Sequence, residues 1–359
     1  MTRIVRVLAI DGGGIRGIIP SVVLTKVEAL LQEASKNPEA RICDYFDLVA
    51  GTSTGGIITA LCLCPDKPGG TRPKYTANDM VKLYQEEGKK IFTRTQKTKT
   101  MDFFGLFNPI YGKKNLEQIL EERFGETYLS QLLKPCLIPA YDIEHGKSTF
   151  FNKLSVDQGL EKDVLLREAV RATSAAPTYF PVAKAPGSEA TFIDGGLFAN
   201  NPALCAFIEA TKFPSRPMQN EIMVLSLGTG ARDANYAFKM AKGWGRLGWV
   251  IPVIDIYGSA SSQTVDHQLQ KLYEQEELEH NYLRIEPNLK EFNVARGMDD
   301  ASPKNIKALY EVGLEMTRRY EQELRDFIHK VVKSHGEFSH ELLYRKRPGR
   351  AYRKNRSHP

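Results

Sequence analysis

Ser53 is the first residue placed for chemistry. It sits in Gly51-Thr-Ser-Thr-Gly55-Gly56, behind an apolar run at 46–50 and ahead of a run at 57–64 that is apolar nearly all round. That pattern reads as a strand, a sharp turn and a buried helix. Gly51 and Gly55 flank the serine because such an elbow crowds backbone where a side chain would block it. A hydroxyl raised on this turn, above a helix amino end, is suited to attack an acyl carbon. Attack needs a group to take the hydroxyl proton, and N–H donors aimed at the oxyanion that develops.

Two groups compete for the proton. His145 is the only histidine before residue 267, and it lies in Glu144-His-Gly-Lys147, which is turn chemistry. An exposed turn histidine is its commoner fate. Asp194 closes the β-rich stretch 191–194, and Gly195 and Gly196 behind it permit close approach of backbone. A free aspartate titrates near about 3.9 and is a weak base at neutral pH, so it would have to be partly buried to serve. Donors are offered by Asp11-Gly-Gly-Gly-Ile-Arg-Gly17, a strand end running into a helix. Exposed N–H groups and the positive end of a helix dipole suit either a phosphate or an ester oxyanion. Gly12, Gly14 and Gly17 satisfy the dinucleotide pattern G-x-G-x-x-G, but residues 35–44 show no second strand ending in an acid, which a Rossmann-type site requires.

The elements that must position these groups alternate. Strands are expected at 3–10, 46–50, 137–141, 191–194 and 221–227. Helices follow with apolar stripes at Val23, Val27, Leu30 and Leu31, then at 75–90, 115–124 and 164–172, and one starts at Asn201-Pro202. Alternation of this kind predicts a mostly parallel sheet covered on both faces, with the chemistry beyond the strands' carboxyl ends. Those ends fall at 11–17, 51–56, 142, 194–196 and 228–230, so the glycine loop, Ser53 and Asp194 are expected along one edge. Ser302-Pro303 starts a helix expected to reach about residue 333. Phe103, Phe104, Phe107 and Tyr111 suit an acyl-chain pocket or a plug on the core, and the plug is the expectation. Trp244 and Trp249, beside Arg246 and ahead of the apolar run 250–256, suit a lipid interface or ordinary packing, and packing is the expectation.

Bulk composition is that of a globular protein: 42% hydrophobic and 26% charged residues in 359. The net charge of +6 is a local effect. Seven basic residues and no acid lie in 345–359, and the remainder is close to neutral, which argues against a nucleic-acid polymer as partner. The expected organisation is one domain over 1–335 and a basic, disordered tail over 336–359. Cys43, Cys62, Cys64, Cys136 and Cys205 show neither C-x-x-C nor zinc spacing, so no metal site is expected. Reduced buried thiols, an amino terminus unlike a signal peptide and no spanning run of about 18 apolar residues lead to a cytoplasmic expectation.

Taken together, Asp11-Gly-Gly-Gly-Ile-Arg-Gly17, Gly51-Thr-Ser-Thr-Gly-Gly56, Ala172-Thr-Ser-Ala-Ala-Pro-Thr-Tyr-Phe180 and Asp194-Gly-Gly-Leu-Phe-Ala-Asn-Asn-Pro202 resemble the motifs of the patatin-like phospholipases. They occur in that family's order and span roughly 4–230; the rest of the chain resembles bacterial members more loosely. The resemblance implies an α/β fold, a three-layer α/β/α sandwich, and hydrolysis of phospholipid or other acyl lipids without cofactor or metal. It implies Ser53 as nucleophile and Asp194 as base. Gly12, Gly13 and Gly14 would form the oxyanion hole, with Arg16 beside it and Thr54 as a further donor. Such an enzyme would touch membranes peripherally, at the inner face. Some bacterial relatives degrade phospholipid in antiphage defence when a cyclic nucleotide binds, which makes a cyclic-nucleotide-activated effector a second reading on resemblance alone.

Overall fold

A computed structural model of the chain describes residues 4–93, 109–184, 189–213, 215, 217–231, 236–275 and 277–335. Phe103, Phe104, Phe107 and the stretch 336–359 lie outside the described residues.

Eight strands form one mixed sheet: β1 (Val5–Ile10), β2 (Leu48–Gly51), β3 (Cys136–Asp142), β4 (Lys147–Asn152), β5 (Ala183–Lys184), β6 (Thr191–Asp194), β7 (Ile222–Leu227) and β8 (Tyr282–Ile285). The order is β5-β6-β3-β2-β1-β7-β8, with β4 also pairing β3. The middle of the sheet, β3-β2-β1-β7-β8, is parallel throughout. Alternating side chains of β1 go to two separate cores. Leu8 and Ile10 join one with α1 (Ile18–Ser35), α2 (Thr54–Leu63) and α3 (Leu166–Thr173). Val5, Val7 and Ala9 join the other with α4 (Ala203–Thr211) and the distal part of α5 (Arg246–Glu274). Burial on both faces is what a parallel sheet demands, and it makes the expected three layers. Arg6, the one charge inside β1, is tolerated because Asp47 takes it in a fully buried bidentate pair, 2.8 and 2.9 Å.

The expected parallel pairing holds through the middle of the sheet, and antiparallel strands are added at one side, where β6 and β4 run against β3 and β5 against β6. Two expectations need correction. The helix at 75–90 is interrupted by a π turn at Leu83–Glu87. The long carboxy-terminal helix is two helices, α6 (Pro303–Arg319) and α7 (Glu321–His335), both packed on α1. Among the described residues no helix is long and apolar enough to cross a membrane.

Candidate active site

Ser53 stands between β2 and α2 with φ 54° and ψ −119°, a conformation that costs a non-glycine residue about 1–3 kcal/mol. Neighbours over-determine it. Ser53 N–H donates to Thr173 Oγ1 at 2.9 Å, Thr52 Oγ1 donates to the Ala199 carbonyl at 2.6 Å, and Gly55 N–H donates to the Thr52 carbonyl at 2.7 Å. Both flanking glycines are required by close approach. A Cβ on Gly51 would strike the Gly55 carbonyl, and one on Gly55 would strike the carbonyl of Ile10 in β1.

Asp194 lies 141 positions away in sequence, and its Oδ2 accepts the Ser53 hydroxyl at 2.6 Å. Its Oδ1 accepts Gly196 N–H at 2.7 Å. The side chain is buried, and burial pushes the carboxyl up to about 6, with the hydrogen bonds from Ser53 and Gly196 pulling the other way. The direction matches the sequence expectation, but the route does not. β6 enters from beyond the sheet edge and runs back against β3, so that Asp194 pairs with Ala140 and stops at the level of the elbow. His145 is elsewhere: it sits in the β3–β4 turn with Nδ1 2.7 Å from Asp142 Oδ2, its side chain about half exposed.

The glycine loop lies against Ser53, so that a Cβ on Gly12 would stand 3.3 Å from the Ser53 Cβ. Both line a cavity of about 410 Å3 together with Thr54, Asp194 and the apolar Ile57, Ile91, Phe92, Leu116, Phe180 and Leu197. The lining mixes these apolar side chains with polar and charged ones, among them Asp255, Ser262, Gln263, Arg284 and Arg296. Gly12 N–H is not available to a ligand, because it donates to the Asn200 carbonyl at 3.1 Å. Gly13, Gly14 and Thr54 have N–H groups for which the described residues offer no acceptor. Arg16 lines the cavity but donates from Nη2 to the Arg296 carbonyl at 2.6 Å. Of the backbone donors that the resemblance implied, Gly12 is thus committed elsewhere, while Gly13, Gly14 and Thr54 line the cavity with N–H groups uncommitted among the described residues. Tyr111 behaves as the plug expected of it: buried, packed edge-on to Phe92 at 5.6 Å and tilted against Phe180 at 5.7 Å between ring centres, and bonded through its hydroxyl to Asp299 at 2.7 Å.

Residues 8–207 match the model of the family described as patatin-like phospholipase. The chain is 38% identical to Patatin-like protein 2 of Arabidopsis thaliana, over 88% of this chain and 84% of that protein. It is 36% identical to Patatin-like protein 2 of Oryza sativa subsp. indica, over 87% and 83%. To Patatin-2-Kuras 3 of Solanum tuberosum it is 34% identical, over 90% and 89%. The chain belongs to the patatin-like phospholipase family.

The family model ends at residue 207, yet much of what holds this patatin-like site lies beyond it. The Met298 carbonyl accepts Ile15 N–H at 2.9 Å, and Thr229 Oγ1 donates to the Gly12 carbonyl at 2.6 Å. Gly14 has φ 59°, and a Cβ there would run into the Met298 carbonyl. Beneath the loop, Arg284 of β8 grips buried Asp11 through both guanidinium ends, 2.8 and 2.6 Å, donates to Ser226 Oγ at 2.8 Å and also pairs with Glu286. Glu286 in turn accepts Gly230 N–H at 2.7 Å. Burial pushes both carboxyls up, Glu286 to about 7, while Arg284 pulls them back. Sequence reasoning missed Arg284 and Glu286. The signal was there in the alternation Tyr282-Leu-Arg-Ile-Glu286 ahead of Pro287, a strand pattern with a charge on one face.

Proposed function

We propose that this protein is a lipid acyl hydrolase of phospholipase A or lysophospholipase type, working through Ser53 and Asp194. The observation that carries the reading is the 2.6 Å hydrogen bond between Ser53 Oγ and the buried carboxylate of Asp194, in the wall of a cavity that also offers apolar side chains. Ser53 Oγ attacks the ester carbonyl carbon and gives its proton to Asp194 Oδ2. The oxyanion takes up N–H bonds from Gly13, Gly14 and Thr54. The tetrahedral adduct collapses, the C–O bond to the alcohol breaks, and the leaving oxygen receives the proton from Asp194. Water then attacks the acyl-Ser53 ester, losing a proton to Asp194; in the second collapse the acyl C–Oγ bond breaks, Asp194 returns that proton to Ser53 Oγ, and the fatty acid is freed. Nothing among the described residues favours a cyclic-nucleotide activator, and the proposal stops at the hydrolase.

A fluorophosphonate reports on the same hydroxyl. Its adduct is expected on Ser53 alone by peptide mass mapping. Because the reactive form needs ionised Asp194, labelling should rise with pH through a midpoint near 6 and be slow below it. An adduct on another serine, or a rate flat between pH 5 and 8, overturns the assignment. His145→Ala is expected to hydrolyse a soluble ester within about twofold of the parent, since a group outside the site supplies none of the factor of about 10²–10⁴ that general-base catalysis gives. A collapse of activity there would restore the histidine triad.

A further inference from the structure

The described residues leave twelve large hydrophobic side chains exposed, and six of them fall within 238–257: Phe238, Met240, Trp249, Val253, Ile256 and Tyr257. Singly exposed apolar residues are ordinary, but a cluster on one short stretch is not. The first half of α5 explains the geometry. At 3.6 residues per turn, Trp249, Val253, Ile256 and Tyr257 lie along one side of the helix. The opposite side lines the cavity with Ile254, Asp255, Gly258, Ser259, Ser262 and Gln263. A helix on the surface of a water-soluble protein turns its apolar side inward. Here Trp249, Val253, Ile256 and Tyr257 are exposed instead, while most of the residues that line the cavity from this helix are polar.

The stretch before α5 is tied to the same place. Tyr236, which lines the cavity, donates to Asp255 at 3.2 Å and packs edge-on against Trp244 at 4.9 Å, and Trp244 packs on Trp249 at 5.0 Å. The exposed patch is thus continuous with the cavity wall. Its charge is mainly basic: residues 236–257 contain Lys239, Lys242 and Arg246 against one acid, Asp255, which lines the cavity, and Lys239 and Lys242 are exposed. Aromatic and aliphatic side chains interleaved with cations fit the boundary between anionic headgroups and acyl chains.

We propose that residues 236–257 form a docking surface for anionic lipid bilayers, setting the cavity beside the membrane so that a lipid enters it without crossing water. The inference rests on the lipid hydrolase reading and names the physical form in which that substrate is met. Both tryptophans of the chain lie inside this surface, so its emission is a direct probe. Ser53→Ala protein leaves the lipid intact and is the species to use for binding. With vesicles of phosphatidylcholine and phosphatidylglycerol, its tryptophan emission should shift to the blue and be quenched by acyl-brominated lipid. Phe238→Ser/Val253→Ser/Tyr257→Ser in otherwise native protein should lower vesicle hydrolysis more than about tenfold, while a soluble short-chain ester is cleaved within about twofold of the parent. Lys239→Glu/Lys242→Glu should weaken binding to the anionic vesicles and leave binding to pure phosphatidylcholine unchanged.

Sedimentation with vesicles but without tryptophan quenching would place the contact elsewhere, the basic stretch 345–359 included, and overturn the proposal. So would a triple variant that hydrolyses vesicles like the parent, or one whose only change is loss of self-association, which would make a second copy of the chain the occupant. Loss of the soluble-ester activity in the native enzyme itself would instead defeat the hydrolase reading.

Discussion

Ser53→Ala and Asp194→Asn are each expected to lower kcat on a soluble ester by on the order of 10⁴–10⁶-fold, and the double variant to be little worse than either single one. Two groups joined by one hydrogen bond act as a unit: without the carboxylate the serine keeps its proton, and without the serine the carboxylate has nothing to activate for attack on the ester. Steady-state hydrolysis measures this directly, and activity within about tenfold of the parent in either single variant would remove the dyad. Stability should move the other way for Asp194→Asn. Asp194 titrates near 6 in the fold against an ordinary value of 3.8, so the folded state holds the proton more tightly. The stability it contributes is present below pH 3.8 and is lost as pH rises through 6. At pH 8 the native protein therefore carries the burden of a buried charge, on the order of 2–3 kcal/mol, that asparagine does not. Urea unfolding should show the variant more stable at pH 8 and equal to the parent near pH 4. An inactive, stabilised variant separates loss of chemistry from loss of fold.

What could be read from the sequence was local. The elbow at Ser53 was legible because a strand, two glycines and an apolar helix are consecutive, and the steric demand on Gly51 arises within that same turn, although the demand on Gly55 comes from Ile10 in β1. Asp194 was placed at the correct edge for an incomplete reason. Its strand is antiparallel, and nothing in four residues between glycine-rich turns reports direction. β8 went unseen because Arg284 breaks its apolar pattern. An arginine is tolerable there only because Asp11 lies 273 positions away and Glu286 beside it, which is a tertiary fact. The 29-residue α5 was hidden by Pro252 inside it and by Gly245 and Gly248 near its start, residues that normally mark a break. Spending of the Gly12 N–H on Asn200 was equally invisible, since the partner arrives from the turn after β6. Each miss is a case where a distant segment supplied the group that made a locally unfavourable choice stable.

Arg284→Met should be the most damaging single substitution outside the dyad. It would leave buried Asp11 and partly buried Glu286 beneath the glycine loop with no cation between them. Breaking a buried pair by removing one partner costs about 3–5 kcal/mol, and here two carboxylates are stranded at once. Both are already pushed upward by burial, so the variant can relieve the strain only by binding protons. The folded variant then holds more protons than the unfolded chain, and its deficit must shrink as pH falls. Urea unfolding should show a loss of about 3–5 kcal/mol at pH 8 and clearly less at pH 5. Arg284→Lys should fall between, because a point charge replaces the bidentate fork on Asp11. Replacing all three residues, as Asp11→Asn/Arg284→Met/Glu286→Gln, should recover much of the stability, since no buried charge is then unpaired. A pH-independent loss in Arg284→Met, or no recovery in the triple variant, would mean that packing of the guanidinium stem rather than its charge holds the loop. The same substitutions should lower kcat more than they raise KM if Gly13 and Gly14 supply the oxyanion donors as proposed, because Asp11 fixes the strand end that carries them.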